Sequence, residues 1–436
     1  MDSGQLSIQR AVLVGLSLGV KDTVDIESSM QELAELARAA GAEVVDSLIQ
    51  NKASVEATTF IGTGKVEEVR IAVLAYDANL VIFNDELSGA QIRNLEGMLD
   101  VKVIDRTALI LDIFAVRAQT KIAKLQVELA QLRYRLPRLT GLGKSMSRTG
   151  GGIGTRGPGE QKLEIDRRRI QERIDDIRRQ IKETEKNRTV QRQLREKNGI
   201  PIVALVGYTN AGKSSIMNRF IEISEVGEME KQVFEKDMLF ATLDTYNRRI
   251  VLTDKKEFVL TDTVGFVSKL PHSLVDAFKA TLEEALSADL LLHVVDASDA
   301  HYEMQMTVTH QVLRELKAHE KTQLTLFNKI DKLDILPQRG DNQVFYISAK
   351  TGTGFEALIE AIKKQLFKDM VPVNFVIPYS EGGIASYLCE TYEVDALDYT
   401  ETGTSIKTTV NQADYHRYAQ YLVSDRINEG DDDEKL

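Results

Sequence analysis

Short apolar runs recur between residues 200 and 370. They are rich in Ile, Val, Leu and Phe, and they are continuous rather than alternating, which is typical of strands buried on both faces of a parallel sheet. The predicted strands are Ile200–Val206, Phe258–Leu260, Leu290–Val295, Leu324–Phe327 and Val344–Ile347. The pattern therefore predicts a mostly parallel α/β domain over residues 199–370.

The regions on either side predict two further domains. Residues 1–108 predict an α/β domain, and residues 371–436 predict a small α+β domain that ends in an acidic tail. In the first, the predicted strands are Ala11–Val14, Glu43–Asp46, Leu80–Asn84 and Val101–Asp105, and the predicted helices are Ile26–Ala40, Gly64–Ala75 and Ser88–Leu99. In the last, the predicted strands are Val373–Ile377, Glu393–Asp398 and Ser405–Val410, with a helix near Gly383–Tyr392 and another from Asn411.

Residues 109–198 carry two stripes of apolar side chains with helical spacing. The first stripe comprises Ile122, Leu125, Leu129, Leu132 and Leu136, and the second comprises Leu163, Ile170, Ile174, Ile177 and Ile181. Pro137 should end the first helix, because proline lacks an amide donor and clashes with the preceding turn. The intervening loop Arg138–Gly159 contains eight glycines. We expect an antiparallel helical hairpin with a glycine-rich tip.

This hairpin region is basic although the whole chain is acidic. The chain has a net charge of −11, yet residues 117–198 contain 22 Lys or Arg against 10 Asp or Glu. The basic residues expected near the tip are Arg133, Arg135, Arg138, Lys144, Arg148 and Arg156, followed by Arg167, Arg168 and Arg169 on the second helix. Arginines bind phosphates, and glycine lets the backbone approach them closely. One interpretation is a probe for folded RNA, and the other is a solvated coiled-coil hairpin.

The bulk composition limits the class of protein and its compartment. A chain of 436 residues predicts two to four domains. Cys389 is the single cysteine, which excludes an internal disulfide and fits a reducing compartment. No apolar run approaches the ~20 residues of a membrane span, and the N-terminus has no signal-peptide pattern. We expect a cytoplasmic, monomeric protein with no membrane span.

The segment after the first predicted strand of the 199–370 domain fits the phosphate-loop pattern GxxxxGK[ST]. It comprises Gly207, Tyr208, Thr209, Asn210, Ala211, Gly212, Lys213 and Ser214, followed by Ser215. The glycines let the backbone turn around an anion, and backbone amides at the start of the next helix would hold phosphates. Lys213 would reach the β- and γ-phosphates, and the Ser214 hydroxyl would bind Mg²⁺.

Two further segments supply groups for the γ-phosphate. They are Asp262-Thr263-Val264-Gly265 and Phe240-Ala241-Thr242-Leu243-Asp244. Asp262 would hold the Mg²⁺ shell through water, and the Gly265 amide would contact the γ-phosphate. Thr242 would bind both Mg²⁺ and the γ-phosphate, so that Lys213, Thr242 and Gly265 are the expected catalytic residues. Phe266 stands where many GTPases have a glutamine that orients water, which predicts slow intrinsic hydrolysis.

The segment Asn328-Lys329-Ile330-Asp331 is expected to select the base. The Asp331 carboxylate can accept hydrogen bonds from N1–H and the exocyclic amine of guanine, whereas adenine would leave it unpaired. Asn328 would hold the loop and the N7 edge, and the Lys329 stem would cover the ring. Backbone amides of Ser348-Ala349-Lys350 suit guanine O6. These motifs indicate GTP or GDP with Mg²⁺ as ligands, and GTP hydrolysis as the reaction.

A second glycine-containing turn leaves other functions open. Gly62-Thr63-Gly64-Lys65 lies at a predicted helix start and fits a second nucleotide site. An ATP-driven RNA remodeller that uses this turn is one alternative. Another is a GTPase that regulates a protein partner or transfer-RNA modification, with the hairpin as a dimerisation arm.

The segment GGIGTRGPGEQKLEIDRRRIQERI at 151–174, together with the nucleotide motifs and IGTGKVEEV at 61–69, resembles the HflX family of GTPases over nearly the whole chain. The resemblance implies binding to the large ribosomal subunit, hydrolysis stimulated there, and a role in dissociating or rescuing stalled ribosomes under stress. It also implies that the loop Leu139–Gly159 approaches the peptidyl-transferase region of ribosomal RNA. Two features depart from the family. Tyr246-Asn247 replaces two threonines near the segment 240–244, which is the expected first switch, and Ser215 replaces a threonine.

Overall fold

The computed structural model describes residues 9–19, 25–139, 158–197, 200–224, 246–269, 287–335 and 343–423. Within 158–197, side chains are described for residues 164–184. The expected hairpin tip at 140–157, the switch segment at 240–244 and the acidic tail lie outside the described residues.

The N-terminal region is a four-stranded parallel sheet with helices between its strands. The strand order is β2-β1-β3-β4. The strands are β1 (Gln9–Ser17), β2 (Ala42–Asn51), β3 (Leu80–Phe83) and β4 (Lys102–Asp105), and the helices are α1 (Ile26–Ala39), α2 (Thr63–Ala75) and α3 (Gly89–Leu99). In β1, Ala11 and Leu13 lie in one apolar cluster, whereas Val12 and Val14 lie in another. Because both faces of β1 are covered, its sequence is a continuous apolar run. The predicted strands and helices of this region are confirmed.

Three helices follow: α4 (Arg106–Arg117), α5 (Lys121–Arg138) and α6 (Pro158–Lys197). The two predicted stripes meet between α5 and α6. Their buried cluster consists of Leu125, Leu129, Ile174 and Ile177, with Leu132, Leu136, Ile170 and Ile181 at its margin. Arg173 of α6 donates to Glu128 of α5 at 2.7 Å. The packing of the two amphipathic helices is therefore confirmed.

The end of α5 corrects two expectations. The helix includes Pro137 and ends one residue later at Arg138, because the Leu139 amide donates to the Arg135 carbonyl at 3.1 Å and closes the last turn. The Arg138 side chain is also paired within the protein, whereas the sequence grouped it with the basic residues near the tip. Its guanidinium donates to Glu86 at 2.8 Å and to Asp105 at 3.3 Å, and it stacks 3.5 Å from the centre of the Tyr134 ring. Arg138 therefore fixes the start of the glycine-rich loop to the N-terminal sheet.

Residues 200–366 form a six-stranded sheet with strand order β10-β9-β8-β5-β7-β6. The strands are β5 (Ile202–Gly207), β6 (Tyr246–Val251), β7 (Glu257–Asp262), β8 (Leu290–Asp296), β9 (Gln323–Asn328) and β10 (Val344–Tyr346), and the helices described here are α7 (Lys213–Ile223), α8 (Tyr302–Glu315) and α9 (Phe355–Leu366). All pairs are parallel except β6 with β7. The five predicted strands and the α/β class are confirmed, whereas β6 was not predicted. This topology brings the carboxyl ends of β5, β7 and β9 to one edge.

The C-terminal region is a three-stranded antiparallel sheet with two helices. Its order is β11-β13-β12. The elements are β11 (Val371–Ile377), α10 (Gly382–Thr391), β12 (Val394–Tyr399), β13 (Thr404–Val410) and α11 (Gln412–Arg417). Phe375 and Ile406 are fully buried in its core. The predicted α+β arrangement is confirmed.

An apolar core joins the N-terminal region to the six-stranded sheet. A single cluster of buried residues includes Leu33 and Phe114 from the N-terminal side and Val264 and Phe266 from the segment after β7. The nucleotide motifs therefore pack directly against the N-terminal region. Among the described helices, none is long and apolar enough to cross a membrane.

Candidate nucleotide site

The phosphate loop connects β5 to α7 and requires glycine at two positions. Gly207 has φ of +148°, and a Cβ atom there would lie 2.2 Å from the Val294 carbonyl oxygen. Gly212 has φ of +92°, and its Cβ would lie 2.2 Å from Nδ2 of Asn328. Neither position has room for a side chain, so the loop can pass tightly between β8 and the end of β9.

Lys213 is the first residue of α7 and is buried inside this loop. Its Nζ donates to the carbonyl oxygens of Gly207 at 3.1 Å and Tyr208 at 2.7 Å. Burial lowers the pKa of Lys213 to about 8, and Asp262 partly opposes this shift. A phosphate would give the ammonium a charged acceptor and would favour its protonated form. The lysine is therefore placed where an anion at the helix N-terminus would bind.

Ser214 and Asp262 bring two oxygen ligands together. The Ser214 hydroxyl donates to Oδ2 of Asp262 at 2.8 Å, and Asp262 is fully buried at the end of β7. Ser215 is half-buried in the same helical turn. A hydroxyl and a carboxylate suit the preference of Mg²⁺ for oxygen ligands. Within the described residues there is no group of three or more His, Cys, Asp or Glu that could hold a metal ion. Nucleotide phosphates, water and the predicted ligand Thr242, which lies outside the described residues, would supply the other ligands of a Mg²⁺ ion here.

Thr209 gives independent support for a polar ligand in the loop. It is buried, and its Oγ1 has no hydrogen-bond partner among the residues that the structure describes. Buried hydroxyls are normally satisfied, so such an atom indicates a missing partner. A phosphate oxygen in the loop would satisfy it. Asn210, with φ of +60°, and the fully buried Ala211 complete the turn.

The residues predicted to select the base lie where β9 and β10 end. Ser348 donates to Asp331 at 2.6 Å, and this bond holds the pKa of the Asp331 carboxyl below its usual range. Asn328 accepts from the Ala349 amide at 3.0 Å. Lys329 has φ of +64° and pairs with Asp296 at 2.7 Å. Asp331 is therefore ionised and exposed, ready to accept from a guanine base.

The other described residues of the segments 328–331 and 348–350 lie beside Asp331. Ile330 is buried beneath the turn, and Lys350 is exposed after Ala349. The structure therefore gathers all three predicted residues of the 348–350 segment beside the predicted residues 328–331.

The segment after β7 lies directly on the phosphate loop. The Phe266 amide donates to the Gly207 carbonyl at 3.1 Å, and the Thr209 amide donates to the Phe266 carbonyl at 2.8 Å. A Cβ on Gly265 would lie 2.8 Å from Cα of Thr209 and 2.9 Å from Nζ of Lys213. The Phe266 ring is buried in the core shared with the N-terminal region. It occupies the position of a water-orienting glutamine without offering a hydrogen bond.

Two other residues of this stretch have structural partners. The Thr263 hydroxyl donates to the Leu205 carbonyl at 2.6 Å, and Val264 is buried in the shared core. Both therefore fix the path of the chain between Asp262 and Gly265.

Several predicted residues are placed elsewhere or not described. Phe240, Ala241, Thr242, Leu243 and Asp244 lie outside the described residues. Tyr246 and Asn247, which depart from the family pattern, both lie on β6, and Asn247 accepts from the Thr261 hydroxyl at 2.7 Å. In the second glycine turn, the Gly62 amide donates to Gln50 at 2.9 Å, and Lys65 pairs with Glu68 at 2.5 Å.

Sequence reasoning missed a polar contact between the phosphate loop and the N-terminal region. The Tyr208 hydroxyl donates to Oε1 of Glu32 at 2.5 Å. Arg106 pairs with Glu32 and donates to the Ser268 hydroxyl at 2.9 Å. No local pattern signals this contact, because its residues lie far apart in the chain.

Three family descriptions match successive parts of the chain. They are "GTP-binding GTPase N-terminal" at residues 27–115, "GTP-binding GTPase Middle Region" at 117–195 and "50S ribosome-binding GTPase" at 202–329. Together with the phosphate loop described above, these matches define the class. The chain is a P-loop GTPase, which binds GTP and hydrolyses it.

Similar proteins match nearly the entire chain. GTPase HflX of Caldanaerobacter subterraneus subsp. tengcongensis is 49% identical over 95% of this chain and 94% of its own length. GTPase HflX of Escherichia coli (strain K12) is 43% identical over 89% of this chain and 90% of its own. A solved complex of SsGBP with GDP is 23% identical, with a TM-score of 0.46, over 83% of this chain and 99% of that one. The two sequence relatives show that the chain belongs to the HflX family of GTPases.

Proposed function

We propose that this GTPase acts on the ribosome. Its hairpin loop Leu139–Gly159 binds the ribosomal RNA of the large subunit. The protein dissociates or rescues stalled ribosomes under stress. It works in the cytoplasm as a monomer. The description "50S ribosome-binding GTPase" for residues 202–329 supports a ribosomal partner.

The observation that carries this proposal is the basic helical pair joined to the GTPase. Leucine and isoleucine stripes hold α5 against α6, which leaves Arg167, Arg168 and Arg169 exposed. By contrast, Arg173, Arg178 and Arg179 pair with acidic neighbours. An exposed arginine group near a glycine-rich loop suits a phosphate backbone.

Within the GTPase, each residue has a defined task. The phosphate-loop amides and Lys213 hold the phosphates, and Asp331 selects guanine. Ser214 and Thr242, with Asp262 through water, would hold Mg²⁺, and the ion would supply positive charge for the phosphates. The Gly265 amide contacts the γ-phosphate. Movement of Gly265 and Thr242 with nucleotide state would change the affinity for the ribosome.

Sedimentation with purified ribosomal subunits tests the ribosomal role. The protein loaded with a β,γ-imido GTP analogue should sediment with large subunits, and the protein loaded with GDP should sediment with them less. Arg167→Ala/Arg168→Ala should weaken the association. Arg10→Ala/Arg70→Ala removes the same charge from the N-terminal sheet and α2, and should not. Association with small subunits alone, or with neither subunit, would contradict the proposal.

The two alternative functions predict other outcomes. If the hairpin is a dimerisation arm, the purified protein should sediment as a dimer and should not bind ribosomes. An ATP-driven remodeller predicts RNA unwinding that survives Lys213→Ala, because that activity would use the turn at Gly62–Lys65.

A further inference from the structure

A buried polar network connects the N-terminal region to the GTP site. Its members are Glu32 on α1, Arg106 at the start of α4, Tyr208 in the phosphate loop and Ser268 after β7. Arg106 is 2% exposed and is among the largest fully buried side chains of the described chain. Besides Glu32, it donates to Oδ1 of Asn84 at 2.9 Å and to the Ser29 carbonyl at 3.3 Å. A buried guanidinium needs such partners, because desolvating an unpaired charge is very costly.

The Tyr208 hydroxyl links this ion pair to both sides of the nucleotide site. It donates to Glu32 at 2.5 Å and accepts from the Ser268 backbone amide at 2.5 Å. The Ser268 hydroxyl also bonds with Glu32. Tyr208 adjoins Gly207, and Ser268 lies three residues after Gly265. The Glu32 carboxylate of the N-terminal region therefore holds the phosphate loop and residues 265–268 together.

The network holds residues 265–268 directly against the phosphate loop. A γ-phosphate is expected to contact both Lys213 and Gly265. Gly265 lies so close to Thr209 and Lys213 that a single added carbon atom would approach them within 3 Å. Phe266 also pairs with the loop backbone on both sides of Tyr208. A γ-phosphate that contacts both Lys213 and Gly265 would have to enter between them, so residues 265–268 would move away from the loop when GTP binds.

We propose that Glu32 and Arg106 are positioning residues of the GTP site, which act through Tyr208 and Ser268 to favour the arrangement without a γ-phosphate. These contacts then lower the affinity for GTP relative to GDP. By reciprocity, a γ-phosphate that displaces Ser268 weakens the attachment of the N-terminal region. This inference uses GTP binding and is independent of ribosome binding.

Nucleotide affinities of single and double variants test the inference. Tyr208→Phe keeps the packed ring and removes only the bridging hydroxyl. It should raise the affinity for β,γ-imido GTP relative to GDP about fivefold. Glu32→Gln, which keeps the side-chain shape, should have a similar effect. The double variant should show no further gain, because both changes break the same connection.

Glu86→Gln is the matched control. It makes the same change as Glu32→Gln at another arginine pair, because Glu86 pairs with Arg138 at 2.8 Å within the N-terminal region. It should leave the ratio of the two affinities within twofold of the wild-type value. The inference is overturned if Tyr208→Phe leaves this ratio unchanged or lowers it. It is also overturned if the two single changes are additive, or if Glu86→Gln reproduces them.

Discussion

The Asn328 side chain donates from Nδ2 to the Ala211 carbonyl at 3.0 Å. Its Oδ1 accepts from the Ala349 amide. One side-chain amide therefore connects the phosphate loop with the segments 328–331 and 348–350. The two parts of the candidate nucleotide site are held in one arrangement by this residue.

The first prediction concerns base selection by Asp331. Asp331→Asn should weaken GTP binding by about 2–4 kcal/mol, because the amide places a donor opposite the donors of guanine. It should improve binding of xanthosine triphosphate, whose base has a carbonyl at that position. Asp334→Asn, nearby in sequence but outside the site, is the control. Unchanged GTP affinity in Asp331→Asn would show that another group selects the base.

The second prediction concerns the phosphate and Mg²⁺ ligands. Lys213→Ala and Ser214→Ala should each abolish Mg²⁺-dependent GTP turnover, because they remove the ammonium and the hydroxyl that the site offers. Circular dichroism should show an intact fold in both. If both variants retained turnover, the active site would lie elsewhere in the chain.

The third prediction follows from the lowered pKa of Lys213. Burial holds it at about 8 without ligand, and a triphosphate should raise it. A group with a higher pKa in the complex takes up a proton on binding. GTP affinity should therefore fall as the pH rises above 8. Calorimetry at pH 8.5 in two buffers of different ionisation heat should show proton uptake, and Lys213→Arg should abolish it. Equal heats of GTP binding in both buffers for the wild-type protein would contradict proton uptake by Lys213.

The fourth prediction concerns the rate of the free protein. Because Phe266 cannot orient water, turnover without a partner should be about 10⁻⁴–10⁻² s⁻¹, and ribosomes should raise it. Phe266→Gln should not accelerate hydrolysis, because the side chain lies in the apolar core. Burying the amide should instead lower the free energy of unfolding by about 1–3 kcal/mol, and Phe266→Leu should be milder. A fast Gln variant would contradict this account.

The fifth prediction concerns the hairpin loop. Arg148→Ala/Arg156→Ala should weaken ribosome binding and flatten its log–log salt dependence by about one unit per lost phosphate contact. Basal GTP hydrolysis should stay nearly unchanged. The pair Arg10→Ala/Arg70→Ala again serves as the control of equal charge. A dimerisation arm would instead alter self-association, and a wild-type salt slope would rule out contact with RNA phosphates.

The sequence predicts those strands and helices whose burial produces a recognisable pattern of apolar residues. The run Leu290–Val295 is apolar because β8 lies inside the sheet, with its residues buried from 290 to 295. By contrast, β6 escaped prediction. It is the antiparallel edge strand, and Ile250 is the only buried residue in it.

The candidate nucleotide site also contains features that the sequence can indicate and features that it cannot. The predicted site residues fall in short local segments at strand ends, so a single sequence can indicate them, and the structure brings the described ones together. The contact of Glu32 with Ser268 spans 236 residues. Arg138 likewise looked like part of a basic loop, and only the fold brings it to Asp105. Long-range polar contacts leave no periodic signal in a single sequence.

The attachment of Arg138 has a consequence for protein engineering. Since this residue holds the start of the glycine-rich loop, the loop can be exchanged or lengthened only beyond Leu139 without releasing it. Deleting one residue from α5 would rotate Arg138 by about 100° around the helix axis, away from Glu86 and Asp105. A chimaera that takes its loop from a relative should therefore be joined after residue 139, so that the host keeps its own anchor.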